Sequence, residues 1–128
     1  MTVGKNVELN GVDLNLTDEL KAYLELHPNI NFYHMSSKTA SLMWQETGRP
    51  KIHLLFIDGD HSYEGCRADI QNWRPYMAED GVMMFHDCDE SSPGVVEAIA
   101  EFANQRKIKE WKMFKREDLN TSMSRILL

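Results

Sequence analysis

The sequence lacks the features of a disulfide-stapled, membrane-spanning or nucleic-acid-binding protein. Its 128 residues include only two cysteines, Cys66 and Cys88, too few for a disulfide framework. No apolar run approaches the ~20 residues of a transmembrane helix, and the polar opening predicts no secretory signal. Lys plus Arg number 14 against 20 Asp plus Glu, so the net charge is −6 and no basic surface for nucleic acid or anionic membrane is expected. We therefore expect a soluble cytoplasmic protein with free thiols, and neither nucleic acid nor membrane as a partner.

The composition is that of an ordinary folded protein. Apolar residues make up 42% of the chain and charged residues 27%. Because domains average roughly 150 residues, the length predicts one domain over residues 1–128.

Short β-type runs alternate with helical patterns along the chain, which predicts an α/β fold around a mostly parallel sheet. Helices are expected after the capping residues Thr17, Ser37 and Ser62 and at Ser92-Pro93. The all-apolar run Ile52–Ile57 is typical of a strand that is covered on both faces. The last two strands lie a hairpin loop apart and should pair antiparallel. The predicted strands are Val7–Leu14, Ile30–Met35, Ile52–Ile57, Val82–Phe85, Ile108–Lys115 and Ser122–Leu128.

Polar residues gather where the predicted strands end, which is where open parallel sheets bind ligands. In strand order, these residues are Asp13, then Ser36 and Ser37, then Asp58 to His61, and then His86 to Glu90. If the third and fourth strands are neighbours, their carboxylates and imidazoles should converge.

This convergence suggests a chemical site. Asp58 and Asp87 offer the oxygen ligands that Mg²⁺ prefers. His61 could act as a general base, because an imidazole changes protonation near neutral pH. The alternative is that strand ends and helix caps are polar for structural reasons alone. The presence of Asp and His after two consecutive buried strands favours the site.

Two motifs carry a family resemblance: FIDGDHSYEG, which begins at Phe56, and VMMFHD over Val82–Asp87. With their flanking helices, they make Ile52–Val96 resemble the class I S-adenosylmethionine-dependent methyltransferases that act on small molecules. The most similar subgroup contains macrolide-sugar O-methyltransferases and cephalosporin-hydroxylase-like proteins. The fold that this implies is a Rossmann-like sheet with a C-terminal antiparallel hairpin.

The resemblance also implies site roles and ligands. Asp13 matches the acid that binds the cofactor ribose, and Ser36 and Ser37 match the loop on the adenine side. His61 matches the catalytic base of an O-directed transfer to a small-molecule acceptor. The cofactor would be S-adenosylmethionine, assisted by Mg²⁺. Asp58 would serve both the cofactor and the metal, and the metal ligands implied are Asp58, Asp87 and His86.

The chain departs from the family at its amino-terminal side. The family has a first strand and a G-x-G-x-G loop before the ribose acid, whereas only Gly4 and Gly11 precede Asp13 here. The resemblance is therefore to an N-terminally truncated domain. Three outcomes stay open: direct pairing of the first strand with Ile52–Ile57, a homodimer or partner chain that completes the pocket, or a non-catalytic methyltransferase-like domain. We expect the homodimer.

Overall fold

A computed structural model of the protein describes residues 7–105, 108–116, 118 and 121–128. The chain divides into two compact units, Met1–Thr47 and Gly48–Leu128, each with its own sheet. The expectation of a single domain over residues 1–128 stays a prediction. Among the helices that this part of the chain forms, none is long and apolar enough to cross a membrane.

The first unit is built on a two-stranded parallel sheet. Its elements are β1 (Leu9–Asp13), α1 (Asp18–Leu26), β2 (Ile30–His34) and α2 (Ser37–Glu46). β1 pairs with β2 from Leu9 beside Ile30 to Asp13 beside His34. The predicted strand Val7–Leu14 was therefore too long at both ends.

Side-chain caps fix where the helices of the first unit begin. The Thr17 hydroxyl accepts a hydrogen bond from Leu20 N at 3.2 Å, as predicted. For α2 the prediction was wrong by one residue, because Ser36 rather than Ser37 is the cap. Ser36 has the extended backbone that a cap needs, and its hydroxyl accepts from Thr39 N at 3.1 Å.

The second unit is built on a four-stranded mixed sheet in the order β3-β4-β6-β5. Its elements are β3 (Ile52–Ile57), α3 (Tyr63–Trp73), β4 (Met77–His86), α4 (Pro93–Gln105), β5 (Glu110–Arg116) and β6 (Thr121–Leu127). β3 and β4 are parallel, and β6 is antiparallel to both β4 and β5. The predicted C-terminal antiparallel hairpin is confirmed, and its second strand lies between the first and β4.

The core of the second unit lies between its sheet and its two helices. Met83 and Phe85 of β4, Ile99 of α4 and Ile126 of β6 are 0% exposed. The residues of α3 that face the core are buried, and they are Cys66, Ile70 and Trp73. This packing holds the sheet edge where β3 and β4 end.

The prediction that β3 is covered on both faces is wrong. Ile57 belongs to the core and Leu55 packs against it, but Leu54 is 61% and Phe56 51% exposed. Successive side chains of a strand point to opposite faces, so one face of β3 stays open. The only ladder partner of β3 in the described chain is β4, while β1 pairs with β2. Direct pairing of β1 with Ile52–Ile57 is therefore not formed.

Candidate functional site

The polar cluster of the second unit follows from the pairing of β3 with β4. The two strands run parallel, with Ile57 beside Phe85 at their carboxyl ends. Asp58 directly follows β3, and His86 and Asp87 end β4 and begin the next loop. The expectation that these two strand ends are spatial neighbours is confirmed.

Two carboxylates and two imidazoles converge at this edge. His61 Nε2 lies 3.1 Å from Asp87 Oδ2 and 3.8 Å from Asp58 Oδ1. His86 Nδ1 lies 2.9 Å from the same Asp87 oxygen and 3.6 Å from Asp58 Oδ1. These distances show that the sequence correctly grouped Asp58, His61, His86 and Asp87.

Asp58, His61 and Asp87 each offer one ligand atom, and these atoms all lie within 4.8 Å of one another. In an octahedral Mg²⁺ site with ligands at about 2.1 Å, ligand atoms are separated by about 3.0 Å when adjacent and about 4.2 Å when opposite. The two carboxylates supply the oxygen donors that a hard divalent cation prefers, and the three ligand atoms lie close to, but not all within, the octahedral separations. The predicted ligand set of Asp58, Asp87 and His86 stays a prediction.

His86 is held differently from His61. Its Nε2 lies 3.0 Å from Thr121 Oγ1, and its Nδ1 is buried and out of line for a hydrogen bond to Asp87 despite the short distance. The nearby carboxylates of Asp87 and Asp58 raise the pKa of His86, while burial opposes them. His86 thus contacts Thr121 through Nε2 and faces the carboxylates of Asp87 and Asp58 with Nδ1, and its predicted role as a metal ligand stays a prediction.

The backbone of Asp87 adopts an unusual conformation. Its φ is 52°, the left-handed region that residues with a Cβ rarely occupy. The Asp87 N–H donates to Ser122 O at 3.0 Å, which ties this turn to β6. Such strain persists where surrounding contacts enforce it, and it concentrates at functional sites. At Asp87, the left-handed backbone belongs to a residue whose carboxylate lies beside His61.

Gly94, in the first turn of α4, touches the backbone of the loop that carries His61. A Cβ at this position would lie 2.5 Å from Tyr63 N and 3.0 Å from His61 O and Ser62 C. Only a glycine permits so close an approach of α4 to this loop. No pattern in the sequence indicates this role of Gly94 in positioning the loop of His61.

Two further acids of the same loops serve turns and caps. Asp60 Oδ1 accepts from Ser62 N at 2.8 Å, and this bond lowers the pKa of Asp60. Asp89 accepts from Ser91 and, at 2.7 Å, from the Ser122 hydroxyl, which together lower the pKa of Asp89 to about 2. These two carboxylates stabilise their loops. They fit the alternative that residues at strand ends are polar for structural reasons alone.

The predicted cofactor residues of the first unit lie at one edge of its sheet. Asp13 ends β1, and Met35 N, just after β2, donates to Asp13 O at 3.1 Å. Asp13 Oδ1 accepts from Asn15 N at 2.8 Å, while its other oxygen has no partner among the described residues. Ser36 uses its hydroxyl as the helix cap, and Ser37 begins α2. Of these, Asp13 retains an acceptor suited to a ribose hydroxyl.

A cavity of about 540 Å³ opens beside the loop that follows Asp87. Cys88 of this loop, Val96 of α4 and Met113 of β5 contribute to its wall, with the acid Glu97 also lining it. This volume lies in the range of small-molecule sites.

Residues 4–88 match a family described as "methyltransferase domain". The match covers more than half of the chain and includes both the β1–β2 region and the Asp58 and Asp87 positions. The chain belongs to this methyltransferase-domain family. Seventy-six residues are also 32% identical to the uncharacterized protein y4gI of Sinorhizobium fredii, covering 58% of this chain and 8% of that protein.

Solved methyltransferases share the fold of this domain. An O-methyltransferase from Bacillus cereus in complex with SAH has a TM-score of 0.71 at 8% identity, over 93% of this chain and 62% of that chain. The TDP-rhamnose 3′-O-methyltransferase of calicheamicin biosynthesis has 0.61 at 14%, over 88% and 55%. The N-methyltransferase NodS from Bradyrhizobium japonicum has 0.61 at 12%, over 94% and 72%. The α/β, Rossmann-like methyltransferase fold is therefore confirmed.

The similar structures include both O- and N-methyltransferases, so the fold does not select the methylated atom. The methyltransferase domain here spans less than two thirds of the Bacillus cereus chain and a small part of y4gI.

Proposed function

We propose that this domain transfers a methyl group from S-adenosylmethionine to a hydroxyl group of a small molecule, with His61 as the general base and a divalent cation at Asp58 and Asp87. The observation that supports the proposal most strongly is the position of His61 Nε2, which is 3.1 Å from one carboxylate and 3.8 Å from the other at the ends of adjacent strands. Membership of a methyltransferase family supports the reaction class.

Each residue of the cluster has a defined part in this reaction. When bound, S-adenosylmethionine supplies an electrophilic methyl group on a sulfonium. With Nε2 facing the Asp87 carboxylate, His61 would take the proton of the acceptor hydroxyl through its other ring nitrogen, Nδ1, and the transfer would release neutral S-adenosylhomocysteine. The Asp87 carboxylate stabilises the imidazolium that forms. Asp58 and Asp87 would hold Mg²⁺, which favours the deprotonated hydroxyl.

Three residues are proposed as cofactor contacts from the family resemblance: Asp13, Ser36 and Ser37. The Asp13 oxygen that has no described partner would accept from the ribose hydroxyls, and the β2–α2 loop at Ser36 and Ser37 would lie on the adenine side. The cavity at Val96 and Met113 would receive the apolar part of the acceptor.

Removal of the base tests the mechanism. We expect His61→Ala to abolish methyl transfer to a panel of small hydroxylated acceptors, while S-adenosylhomocysteine affinity stays within about twofold. His53→Ala removes an exposed imidazole from β3 and is the matched control. Retained turnover in His61→Ala would reject the assignment of the base.

Loss of one carboxylate tests the cation. Mg²⁺ titration of Asp58→Asn should show at least about tenfold weaker binding, because an anionic ligand is lost. Glu90→Gln removes an exposed charge from the neighbouring loop and should bind normally. Equal Mg²⁺ affinity in both variants would overturn the metal assignment.

We also propose that a second copy of the chain covers the open side of β3. β3 is an edge strand of its sheet in the described chain, and the backbone groups of such an edge can pair with a further strand. Its exposed Leu54 and Phe56 form an apolar face that a second copy would also cover. Light scattering at micromolar concentration should then give a dimer that Phe56→Lys disrupts. A monomer would overturn this proposal, and a copurified second chain would replace it with a hetero-complex.

A further inference from the structure

A second cavity, of about 470 Å³, lies between α3 and α4 and shares no residue with the Asp58–Asp87 cluster. Its polar lining is dominated by hydrogen-bond donors. Arg67, Gln71 and Arg74 come from α3 and the turn after it, and Glu101 and Gln105 come from α4. The single carboxylate of this lining determines how much positive charge remains available.

Glu101 is fully engaged by its neighbours. Its carboxylate accepts from the Tyr63 hydroxyl, from Arg67 Nε at 3.2 Å and from Gln105 Nε2 at 3.0 Å. The Tyr63 hydroxyl lowers the pKa of Glu101 most, and the other two donors add to it. Glu101 thus anchors Arg67 through Nε only, and the two terminal amino groups of Arg67 bond to none of the described residues.

The side chain of Arg74 has no hydrogen-bond partner in the described part of the chain. Its Nε is buried without a hydrogen bond, and no ion pair joins its guanidinium to any described carboxylate. A guanidinium cannot lose its charge in a protein, so its donors need an acceptor. Gln71, one turn earlier, also has no described side-chain partner. The Lys51 ammonium adds positive charge nearby, since it donates at 2.9 Å to the carbonyl of Pro75 in the cavity wall.

We propose that this cavity is a binding site for a small molecule carrying an oxyanion, either a phosphate or a carboxylate group. The planar, forked guanidinium donates two parallel hydrogen bonds to such a group. The terminal groups of Arg67 and the free guanidinium of Arg74 supply these donors, and Gln71 adds a neutral one. The volume fits a small ligand rather than a water molecule alone.

Titration with inorganic phosphate and, separately, with acetate tests the site at constant ionic strength, with chloride as the reference anion. Saturable binding that Arg74→Gln and Arg67→Gln each weaken at least about tenfold is expected. Lys38→Gln removes one positive charge from α2 and should stay within about twofold. Preference for phosphate over acetate, or the reverse, identifies the oxyanion.

Nuclear magnetic resonance of the unmutated protein provides a test that does not depend on how the variants fold. Phosphate or acetate should shift the Nε–H signals of both Arg67 and Arg74 along saturable curves. Shifts that are linear in concentration, or that chloride reproduces, would overturn the proposal and leave Arg74 as a cation that stabilises the carboxyl end of α3. Binding that all three variants retain equally would also overturn it.

Discussion

Gly94→Ala should displace the loop that carries His61. The added Cβ would lie 2.5 Å from Tyr63 N and 3.0 Å from His61 O, whereas ordinary contacts begin near 3.4 Å. All the atoms that it meets belong to the backbone, so no side-chain rotation can relieve the overlap, and the loop must move by roughly 1 Å. A displacement of this size at a reacting group reduces turnover by about a hundredfold.

The same change has opposing effects on stability. Overpacking costs about 1–3 kcal/mol, while alanine gains about 1 kcal/mol over glycine in a helix. We therefore expect urea denaturation to show a net loss of about 1 kcal/mol. Asn104→Ala, an exposed change on the same helix, is the control without the overlap. A Gly94→Ala variant that is more stable than the native protein, with His61 unmoved in its crystal structure, would refute the reasoning.

Three further variants or conditions test other parts of the structure. Asp87→Gly should be more stable to urea than Asp87→Ala by about 1 kcal/mol, because both lose the carboxylate but only glycine relieves the left-handed backbone; equal stability would contradict the strain. Burial raises the pKa of Cys66 to about 12 and also raises that of Cys88, so the folded protein should resist a thiol-reactive disulfide reagent that labels both thiols after denaturation. The thiols of the unfolded chain have lower pKa values than those of the folded protein, so they lose their protons at a lower pH. The free energy of unfolding should therefore fall as the pH rises above about 8.5, and a free energy that does not change with pH would contradict this. Tyr63→Phe should raise the pKa of Glu101 in a carbon-13 titration, and an unchanged value would exclude the hydrogen bond between them.

The sequence could predict the site because local patterns determine which residues follow each strand. Asp58 and Asp87 each come at the carboxyl end of an apolar strand, and parallel pairing then brings them together. No local pattern reveals that Gly94 lies against the His61 loop, because that contact joins segments more than thirty residues apart. The left-handed backbone of Asp87 was equally hidden, since it depends on its bond to Ser122 in β6.

The misassignments on β3 and α2 have different physical origins. The all-apolar β3 correctly indicated a strand, but a pattern of side chains cannot say whether a neighbour is present to cover Leu54 and Phe56. At α2 two adjacent serines could both cap the helix, and only the backbone angles distinguish Ser36 from Ser37. Element types were thus predictable, whereas coverage and exact boundaries depended on tertiary contacts.

Isothermal titration with S-adenosylhomocysteine, with and without Mg²⁺, tests the central claim most directly. The product is chemically stable and should bind any intact cofactor pocket of a methyltransferase. The account predicts saturable micromolar binding that persists in His61→Ala. No heat from folded protein at millimolar ligand, under either condition, would contradict the claim that this chain forms a working methyltransferase site.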